Sequence, residues 1–323
     1  MQLPTTLYRA VEELLESQRP DELSRAAADL SQRYRAGRID GGRPVHSPAH
    51  RAAYTAFRLP ATYAAAHAVL AETARRIDPN ACTSFLDLGA GPGTASWAAA
   101  ELFDSLSEMT LAERDPDWIS LGQEFARQAP VQALAQARWQ RLDLSAAEPL
   151  PTADLVIACY SLGELTENAG QAALARAWDA AATALILIEP GTPAGFGRIR
   201  RWRDALVDRG ARLAAPCPHA DACPVPEGDW CHFSARVERS SLHRRIKGGS
   251  LGHEDEKFSY LVFTKEPTVP ASSRVVRHPQ KRGGHTNLAL CTADGLEKRT
   301  LSRRDKATWK RAAKLSWGDA WDA

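Results

Sequence analysis

A glycine-rich loop at residues 84–94, SFLDLGAGPGT, limits the possible folds of this 323-residue chain more than any other feature. The loop joins a short apolar run containing Asp87 to a helical stretch, and its glycines stand at Gly89, Gly91 and Gly93. Glycine permits positive φ angles and lets a ligand approach the backbone closely. A dinucleotide-binding loop has the spacing G-x-G-x-x-G, whereas this loop has G-x-G-x-G. The sequence therefore predicts a strand–turn–helix cofactor site with a tighter loop than the dinucleotide type.

The residues that follow alternate between short apolar runs and helical stretches. The apolar runs are SFLDLG, MTLAE, WQRLDL, ADLVIACYS and ALILIEP, and the stretches between them include ASWAAAELF, PDWISLGQEFARQ and QAALARAWDAA. Strands that alternate with helices predict a parallel sheet that is covered on both faces. We therefore predict an α/β, Rossmann-like fold with four segments: an N-terminal helical cap (1–80), the sheet domain (81–215), a cysteine-rich insertion with the last sheet strand (216–265) and a basic C-terminal extension (266–323). The extension is expected to contain a hairpin that turns at Asp294-Gly295.

The glycine loop resembles motif I of class I S-adenosylmethionine-dependent methyltransferases. The next predicted strand ends at Glu113, 26 residues after Asp87, where a carboxylate can accept both hydroxyls of a ribose. We prefer Glu113 to Asp115 for this role. The resemblance implies that Asp143, at the tip of the third strand, lies near the adenine. The residues predicted to bind S-adenosylmethionine are Asp87, Gly89, Gly91, Gly93, Glu113 and Asp143.

The same resemblance implies that Asp154 and residues 158–165 face the transferred methyl group. This segment lacks the Asn/Asp-Pro-Pro-Tyr/Phe pattern with which many amino-group methyltransferases hold the target nitrogen. Cys159 lies in the apolar run LVIACY and is expected to be a small core residue rather than a nucleophile. The sequence therefore assigns no catalytic residue.

Three of the six cysteines lie close together in PCPHADACPVPEGDWCH, residues 216–232, which we call the cysteine segment. Five residues separate Cys217 from Cys223, and seven separate Cys223 from Cys231. Zinc sites usually contain C-x2-C pairs, which this segment lacks. The wider spacing suits an iron–sulfur cluster, which takes four cysteines, and Cys291 is the candidate for the fourth. The competing solution is a zinc site in which His219 or His232 joins the three cysteines.

The positive charge is concentrated near the C-terminus. Residues 274–314 contain twelve Lys/Arg and three Asp/Glu, whereas the whole chain has 41 basic and 39 acidic residues. A basic segment on a mildly acidic body indicates a polyanionic partner, RNA or DNA first. Two predicted basic helices, at 198–212 and 236–247, could also neutralise phosphates, and Trp309 and Trp317 either stack on bases or pack a short terminal helix.

Targeting signals are not evident in the sequence. It contains no run of eighteen apolar residues, and MQLPTTLYRAVEELLES lacks a basic region followed by an apolar one. We therefore expect neither a membrane span nor a secretory leader, and a cytoplasmic protein. In that compartment the six cysteines are expected to be reduced thiols or metal ligands rather than disulfides.

Several sequence blocks together resemble the family of mitochondrial small-ribosomal-subunit methyltransferase-like proteins and their bacterial relatives. These blocks are LDLGAGPGTASWAA, YSLGEL, LIEPGTPAGF, PCPHADACP, WCHF, EDEKFSYLVF, LCTADG and KLSWGD. The resemblance implies a class I methyltransferase fold that binds S-adenosylmethionine. It also implies a [4Fe-4S] cluster held by Cys217, Cys223, Cys231 and Cys291, and a role in assembly of the small ribosomal subunit through its RNA. The chain lacks an arginine-rich, acid-poor presequence, which favours a bacterial relative.

Two functions are consistent with this resemblance. In the first, the protein is a methyltransferase that modifies small-subunit ribosomal RNA. In the second, it is a non-catalytic assembly factor that binds RNA, and its cofactor and metal site are structural. We expect the free protein to be monomeric in either case.

Overall fold

The computed structural model of the chain describes residues 1–36, 45, 47–238 and 252–322. Its helices are α1 (Thr5–Glu16), α2 (Pro20–Ala36), α3 (Pro48–Phe57), α4 (Leu59–Ala74), α5 (Thr94–Leu102), α6 (Pro116–Ala126), α7 (Gln132–Ala135), α8 (Glu167–Ala180), α9 (Pro193–Asp208) and α10 (Lys306–Ala312). Its strands are β1 (Ser84–Leu88), β2 (Glu108–Glu113), β3 (Arg138–Arg141), β4 (Ala153–Cys159), β5 (Ala181–Pro190), β6 (Arg212–Ala215), β7 (Phe233–Glu238), β8 (His253–Thr264), β9 (Ser273–Val275), β10 (Gln280–Lys281), β11 (His285–Thr292) and β12 (Gly295–Ser302).

The main sheet has the strand order β3-β2-β1-β4-β5-β8-β6, and β7 pairs with the first half of β8. Strands β1 to β5 are parallel, whereas β8 runs antiparallel to β5, β6 and β7. The chain winds outward in two directions from the β1–β4 pair, and open α/β sheets bind ligands at the carboxyl ends of such a pair. The Rossmann-like α/β fold predicted from the sequence is confirmed, and the antiparallel edge makes the sheet mixed rather than wholly parallel.

The core lies on both faces of this sheet. Along β5, Ala184, Ile186 and Ile188 belong to one core cluster, while Leu185 and Leu187 belong to the other. Helices α4, α5 and α6 contribute to the first cluster, and α8 and α9 contribute to the second. A strand buried on both faces has no polar side to expose, which is why residues 184–188, ALILI, form an uninterrupted apolar run.

The N-terminal helices form the predicted helical cap, and α4 lies directly against the sheet domain. This helix contacts α5, β7 and β8. Its buried alanines, which include Ala61, Ala64 and Ala65, let the backbone of α4 approach the backbones of these neighbouring elements closely. The predicted turn before α3 falls largely on residues 37–44 and 46, outside the described residues.

The C-terminal extension forms a second, four-stranded sheet from β9 to β12. Val275, Leu288 and Leu290 pack on Ala312 of α10 and on Trp321. The predicted hairpin is confirmed, because β11 and β12 pair as far as Thr292 and Gly295, so its turn residues are Ala293 and Asp294. The turn lies one residue earlier than predicted, and Gly295 follows it at φ +114°.

The two predicted basic helices differ in outcome. Residues 198–212 are mostly helical and form the larger part of α9, which begins at Pro193 after the N-cap Thr192. Residues 236–238 belong to β7, so the second prediction is wrong there, and residues 239–251 lie outside the described part of the chain. None of the helices in the described residues is long and apolar enough to cross a membrane.

A buried arginine connects the cap, the cysteine segment and the C-terminal extension. Arg274 donates from Nη2 to Oε1 of Glu72 on α4 at 2.7 Å, from Nε to the Pro216 carbonyl at 3.0 Å and from Nη1 to the Gly318 carbonyl at 3.0 Å. Burial alone would raise the pKa of Glu72, but Arg274 and Arg76 lower it overall. The carboxylate therefore stays charged, and three distant parts of the chain meet at one ion pair.

Removal of this arginine is expected to destabilise the whole protein. Arg274→Met leaves the buried Glu72 with only Arg75 and Arg76, which follow the end of α4, as ion-pair partners, so the free energy of unfolding should fall by about 3 kcal/mol. The matched control is Arg299→Met, which removes the exposed Arg299–Glu297 pair and should cost less than about 1 kcal/mol. Denaturant unfolding of both variants measures the difference, and equal losses would contradict the role of Arg274.

Candidate functional site

The predicted glycine loop lies at the carboxyl end of β1, beside β4. Gly89, Gly91 and Gly93 have φ angles of +72°, +55° and +82°, a region that favours glycine. A Cβ on Gly89 would lie 2.4 Å from Cβ of Ser161, and Ser161 Oγ donates to the Leu88 carbonyl at 2.6 Å. A Cβ on Gly91, in contrast, would meet no atom within 4 Å. The loop is therefore packed on the side of β4 and open at Gly91, where a ligand can approach the backbone.

Glu113 ends β2 next to this loop and holds its backbone in place. Its Oε2 accepts from the amide of Gly91 at 2.9 Å, and its Oε1 accepts from the amides of Arg114 at 2.8 Å and Asp115 at 2.9 Å. A carboxylate has about four acceptor positions, so Oε2 retains capacity for a hydroxyl donor. Asp115 is the N-cap of α6 and accepts from the Asp117 amide at 2.9 Å.

Asp87 is the buried carboxyl of the site. It is 1 % exposed and accepts from Ser96 Oγ at 2.8 Å. Burial, and to a smaller extent the charge of Glu113, raises the pKa of Asp87 to about 7. Its protonation state therefore changes near neutral pH, and a cation bound above the loop would favour the ionised form.

The two other predicted aspartates lie at different ends of the sheet. Asp143 follows β3 at the carboxyl edge, is exposed, and accepts from the amide and hydroxyl of Ser145 at 2.9 and 2.7 Å. Asp154 lies near the start of β4, at the amino edge, where it accepts four hydrogen bonds from the amides and hydroxyls of Thr83 and Ser84. The prediction that Asp154 faces the methyl group is therefore wrong, because β4 carries the chain across the sheet before it reaches that edge.

Residues 158–165 do lie at the carboxyl edge, and Tyr160 within them has an unusual backbone. Its φ is +59°, which is rare for a bulky residue and costs about 1–3 kcal/mol. The Tyr160 hydroxyl donates to Oε1 of Glu256 on β8 at 3.2 Å. Arg58, at the junction of α3 and α4, pairs with both oxygens of Glu256 at 2.9 and 3.1 Å. Sequence reasoning did not identify Arg58 or Glu256, since only the fold brings them to this edge.

A second carboxyl cluster supports the same segment. Glu189 at the end of β5 accepts from the Gly163 amide at 3.1 Å and pairs with Arg198 of α9 at 2.7 Å. Burial raises the pKa of Glu164 to about 7. The carboxyl edge of the sheet therefore carries several buried acidic groups, which suits a cationic ligand or a donor-rich one.

The four predicted metal ligands line one cavity. Cys217, Cys223, Cys231 and Cys291 all face it, together with apolar neighbours such as Phe196, Phe233 and Tyr260. The cavity has a volume of about 40 Å³, counted as the space that the centre of a water molecule can occupy. A single water molecule needs less than this. Cys291 is therefore brought to the cysteine segment from the second sheet, 60 residues away from Cys231 in sequence.

Burial keeps three of these cysteines in the thiol form. It raises the pKa of Cys217 and of Cys231, and it raises the pKa of Cys291 to about 12. A metal therefore has to displace protons when it binds. Within residues 1–36, 45, 47–238 and 252–322, no group of three His, Cys, Asp or Glu side chains is arranged to hold a metal ion.

The polar groups at the cavity are partly unpaired. Arg203 is 3 % exposed, and its Nε has no hydrogen-bond partner among the described residues. The same is true of both ring nitrogens of His219. His232 also has two unpaired ring nitrogens, but it stacks on Trp230 and does not line the cavity. His219 is therefore the histidine of the cysteine segment that adjoins the thiols.

The two tryptophans considered for base stacking are engaged inside the protein. Trp317 packs between His232 and His278, with ring centroids 4.5 and 4.8 Å apart. The guanidinium of Arg303 lies 4.8 Å from the ring centroid of Trp309. The packing alternative is therefore the one that the structure favours.

A pH titration of stability tests the state of Asp87. Because the folded pKa is about 7 and an unfolded aspartate titrates near 3.9, the folded state holds one extra proton between these values. Stability from this group is therefore greatest at low pH and falls by about 1.4 kcal/mol per pH unit up to pH 7. Asp87→Asn should remove this slope. Denaturant unfolding at several pH values compares the two proteins, and parallel pH profiles would contradict a raised pKa.

Curated relatives of the chain are known. It is 26 % identical over 286 residues to a human protein, the mitochondrial ribosome assembly protein METTL17, with 82 % of this chain and 61 % of that one covered. It is 24 % identical over 321 residues to a fission yeast Rsm22-cox11 tandem protein, also mitochondrial, with 83 % and 42 % covered. The chain thus spans about half the length of these relatives. Their names contradict the cytoplasmic location expected from the sequence, since both are described as mitochondrial.

Two solved structures resemble part of the chain at low sequence identity. One is a magnesium protoporphyrin IX methyltransferase from Synechocystis with bound S-adenosylmethionine, at 14 % identity and a TM-score of 0.42, covering 65 % of this chain and 82 % of that one. Another is the N-methyltransferase NodS from Bradyrhizobium japonicum with bound S-adenosylhomocysteine, at 12 % identity and a TM-score of 0.36, covering 58 % and 80 %.

The family model described as mitochondrial small ribosomal subunit Rsm22 matches residues 48–322. That range includes the glycine loop, the cysteine segment and the second sheet, so the match extends over nearly every element that forms the two candidate sites. The chain therefore belongs to the Rsm22 family.

Proposed function

We propose that this protein binds S-adenosylmethionine and methylates small-subunit ribosomal RNA during assembly of the small ribosomal subunit. The observation that carries this proposal is the glycine loop, which is open at Gly91 and lies between the carboxylate of Glu113 and the strained Tyr160. The membership of the Rsm22 family and the names of the curated relatives support the ribosomal target.

The proposed cofactor contacts follow from the charges of the site. Gly89, Gly91 and Gly93 supply the backbone surface, and Glu113 accepts from the ribose hydroxyls while it holds the loop. Asp143, exposed at the next strand tip, reaches the adenine side, and Asp87 fixes the loop through Ser96. When bound, S-adenosylmethionine supplies a methyl group on a cationic sulfur, and the acidic carboxyl edge favours that charge.

Methyl transfer needs alignment of donor and acceptor rather than a dedicated base. Residues 158–165 are the part of the chain that can provide it, because the positive φ of Tyr160 turns the backbone at the edge where the acceptor arrives. Strain of this kind is retained where the surrounding structure fixes it, and Glu256 and Arg58 fix Tyr160 here.

A second function, an assembly factor without turnover, is favoured by one observation. Tyr160, Arg58 and Glu256 bind one another across the acceptor side, so an incoming base has to displace a bidentate ion pair. In this alternative the cofactor and the cysteine site stabilise an RNA-binding shape.

We propose that the cysteine cavity holds a [4Fe-4S] cluster, with zinc as the alternative occupant. The support is the convergence of Cys217, Cys223, Cys231 and Cys291 on one apolar space, with unpaired donors at its wall. A [4Fe-4S] core takes four cysteine ligands, which is the number of cysteines that line this cavity. Its role is structural, because four cysteine ligands leave no open position for a substrate.

The proposed RNA contact uses the exposed basic residues of the second sheet and α10. Several of them have no ion-pair partner among the described residues: Lys281, Arg282, Lys298, Arg304, Lys306, Lys310 and Lys314. Other cations are engaged within the protein, since Arg274 pairs with Glu72 and Arg277 pairs with Asp229. Phosphate contacts of this kind make binding weaken steeply with salt.

Incubation with labelled S-adenosylmethionine and small-subunit RNA distinguishes the two functions. Label on the RNA is expected for the methyltransferase, whereas saturable cofactor binding without transfer would contradict it and support the assembly factor.

Gly91→Asn should weaken cofactor binding by at least about tenfold, because asparagine tolerates the backbone angle but its side chain enters the open space. Gly210→Asn is the control, since that glycine has φ +81° and no atom within 4 Å of its Cβ position, far from the loop.

Replacement of the distant cysteine tests the proposed cluster. Cys291→Ser should lower the iron and sulfide per chain after anaerobic purification, and it should lower RNA affinity, because the second sheet loses its tie to the cysteine segment. Cys82→Ser is the control, since Cys82 is buried outside the cavity. Unchanged iron in Cys291→Ser would remove this residue from the ligand set, and zinc in place of iron would identify the alternative occupant.

A further inference from the structure

Arg203 of α9 forms part of the wall of the cysteine cavity. Its Nη2 donates to the carbonyls of His219, at 3.0 Å, and Asp221, so it holds the backbone between two of the cysteines. Its Nη1 donates to Asp204 at 3.0 Å. With an exposed fraction of 3 %, the guanidinium is fixed at the cavity by the same segment that carries Cys217 and Cys223.

The charge of Arg203 is not balanced by a buried carboxylate. Arg274, the other buried arginine near the cysteines, pairs with Glu72, and both side chains of that pair are less than 10 % exposed. The carboxylate next to Arg203 is Asp204, whose side chain is 54 % exposed and therefore screened by water. A buried cation without a buried anion is costly, so the cavity wall favours an anionic occupant.

One donor of Arg203 also lacks a partner. Its Nε is buried and has no partner of full hydrogen-bond geometry among the described residues, whereas Nη1 and Nη2 are both engaged. The Arg203 side chain nevertheless lies within hydrogen-bonding reach of the Cys217 thiol. Burial raises the pKa of the Cys217 thiol, and the positive charge of Arg203 opposes that rise. The same charge also opposes the rise in the pKa of the Cys291 thiol. Arg203 therefore acts on a cysteine of the cysteine segment and on the cysteine of the second sheet.

We infer that Arg203 is a positioning residue for the cavity's occupant: its charge offsets the negative charge of four thiolates around an iron–sulfur core, and its Nε donates to a sulfur. This inference rests on the proposed cluster. Hydrogen bonds to sulfur and nearby charge are two of the factors that set the reduction potential of such a centre, and partners of the ligands contribute to its retention.

Substitution of two neighbouring arginines isolates this role. Arg203→Met removes the charge and the free donor, whereas Arg200→Met is the control, because Arg200 also lines the cavity and donates to the carbonyls of Val225 and Cys223. Arg203→Met should lose iron to a ferrous chelator about tenfold faster than the parent. Removal of a group that binds a metal ligand typically costs about 10–100-fold, and tenfold is the lower end of that range. Its reduction midpoint, measured anaerobically with a chemical reductant, should be more negative, because an added electron is no longer stabilised by the cation.

The outcomes separate this inference from the proposed cluster. A parent protein without iron and sulfide would overturn both. An iron-containing parent whose midpoint and rate of iron loss equal those of folded Arg203→Met would overturn the inference alone, as would an equal effect in Arg200→Met. If Arg203→Met does not fold, the same two measurements are made on Arg203→Gln, which keeps a hydrogen-bond donor but removes the charge. Arg203→Lys should restore most of the midpoint, which a merely structural role does not predict.

Discussion

The buried ion pair between Arg274 and Glu72 is the contact on which the arrangement of the whole chain depends. Its two residues are 202 positions apart in sequence, and the same guanidinium also binds the carbonyls of Pro216 and Gly318. A buried pair gains its stability only when every donor is satisfied. Because Arg274 satisfies this condition with three partners from different segments, the cap, the cysteine segment and the C-terminal extension are fixed relative to one another at one point.

This junction explains how the two candidate sites are related. Cys291 pairs directly with Arg274 across β11 and β9, so the arginine that holds Glu72 also sets the register of the fourth cysteine. The cap helix that carries Glu72 begins next to Arg58, which binds Glu256 and closes the acceptor side of the glycine loop. The two candidate sites are therefore connected through α4, which carries Glu72, and β8, which carries Glu256 and also supplies Tyr260 to the wall of the cysteine cavity.

Local features of the sequence predicted the sheet domain well. The G-x-G-x-G loop, Glu113 and the alternating runs each depend on residues a few positions apart, and the structure places the three glycines and Glu113 together as expected. Asp154 does not face the loop because it stands at the start of the run ADLVIACYS, whereas in a parallel sheet the carboxyl ends of the strands meet the loop. Arg58 and Glu256 give no local signal at all. Their meeting, like the antiparallel pairing of β8, depends on contacts between residues that are far apart in the chain.

The arginines of α9 show why composition alone misjudges a basic helix. The cysteine segment has little regular structure, so its carbonyl groups need donors from elsewhere. Arg200 and Arg203 supply them, and Arg198 and Arg201 are paired with Glu189 and Glu167. The guanidinium suits these contacts, because its rigid fork can bind two carbonyl acceptors at once. The charge that suggested a nucleic-acid contact at 198–212 is thus used to shape the loop that carries the thiols, and the residues left for phosphate lie on the second sheet and α10.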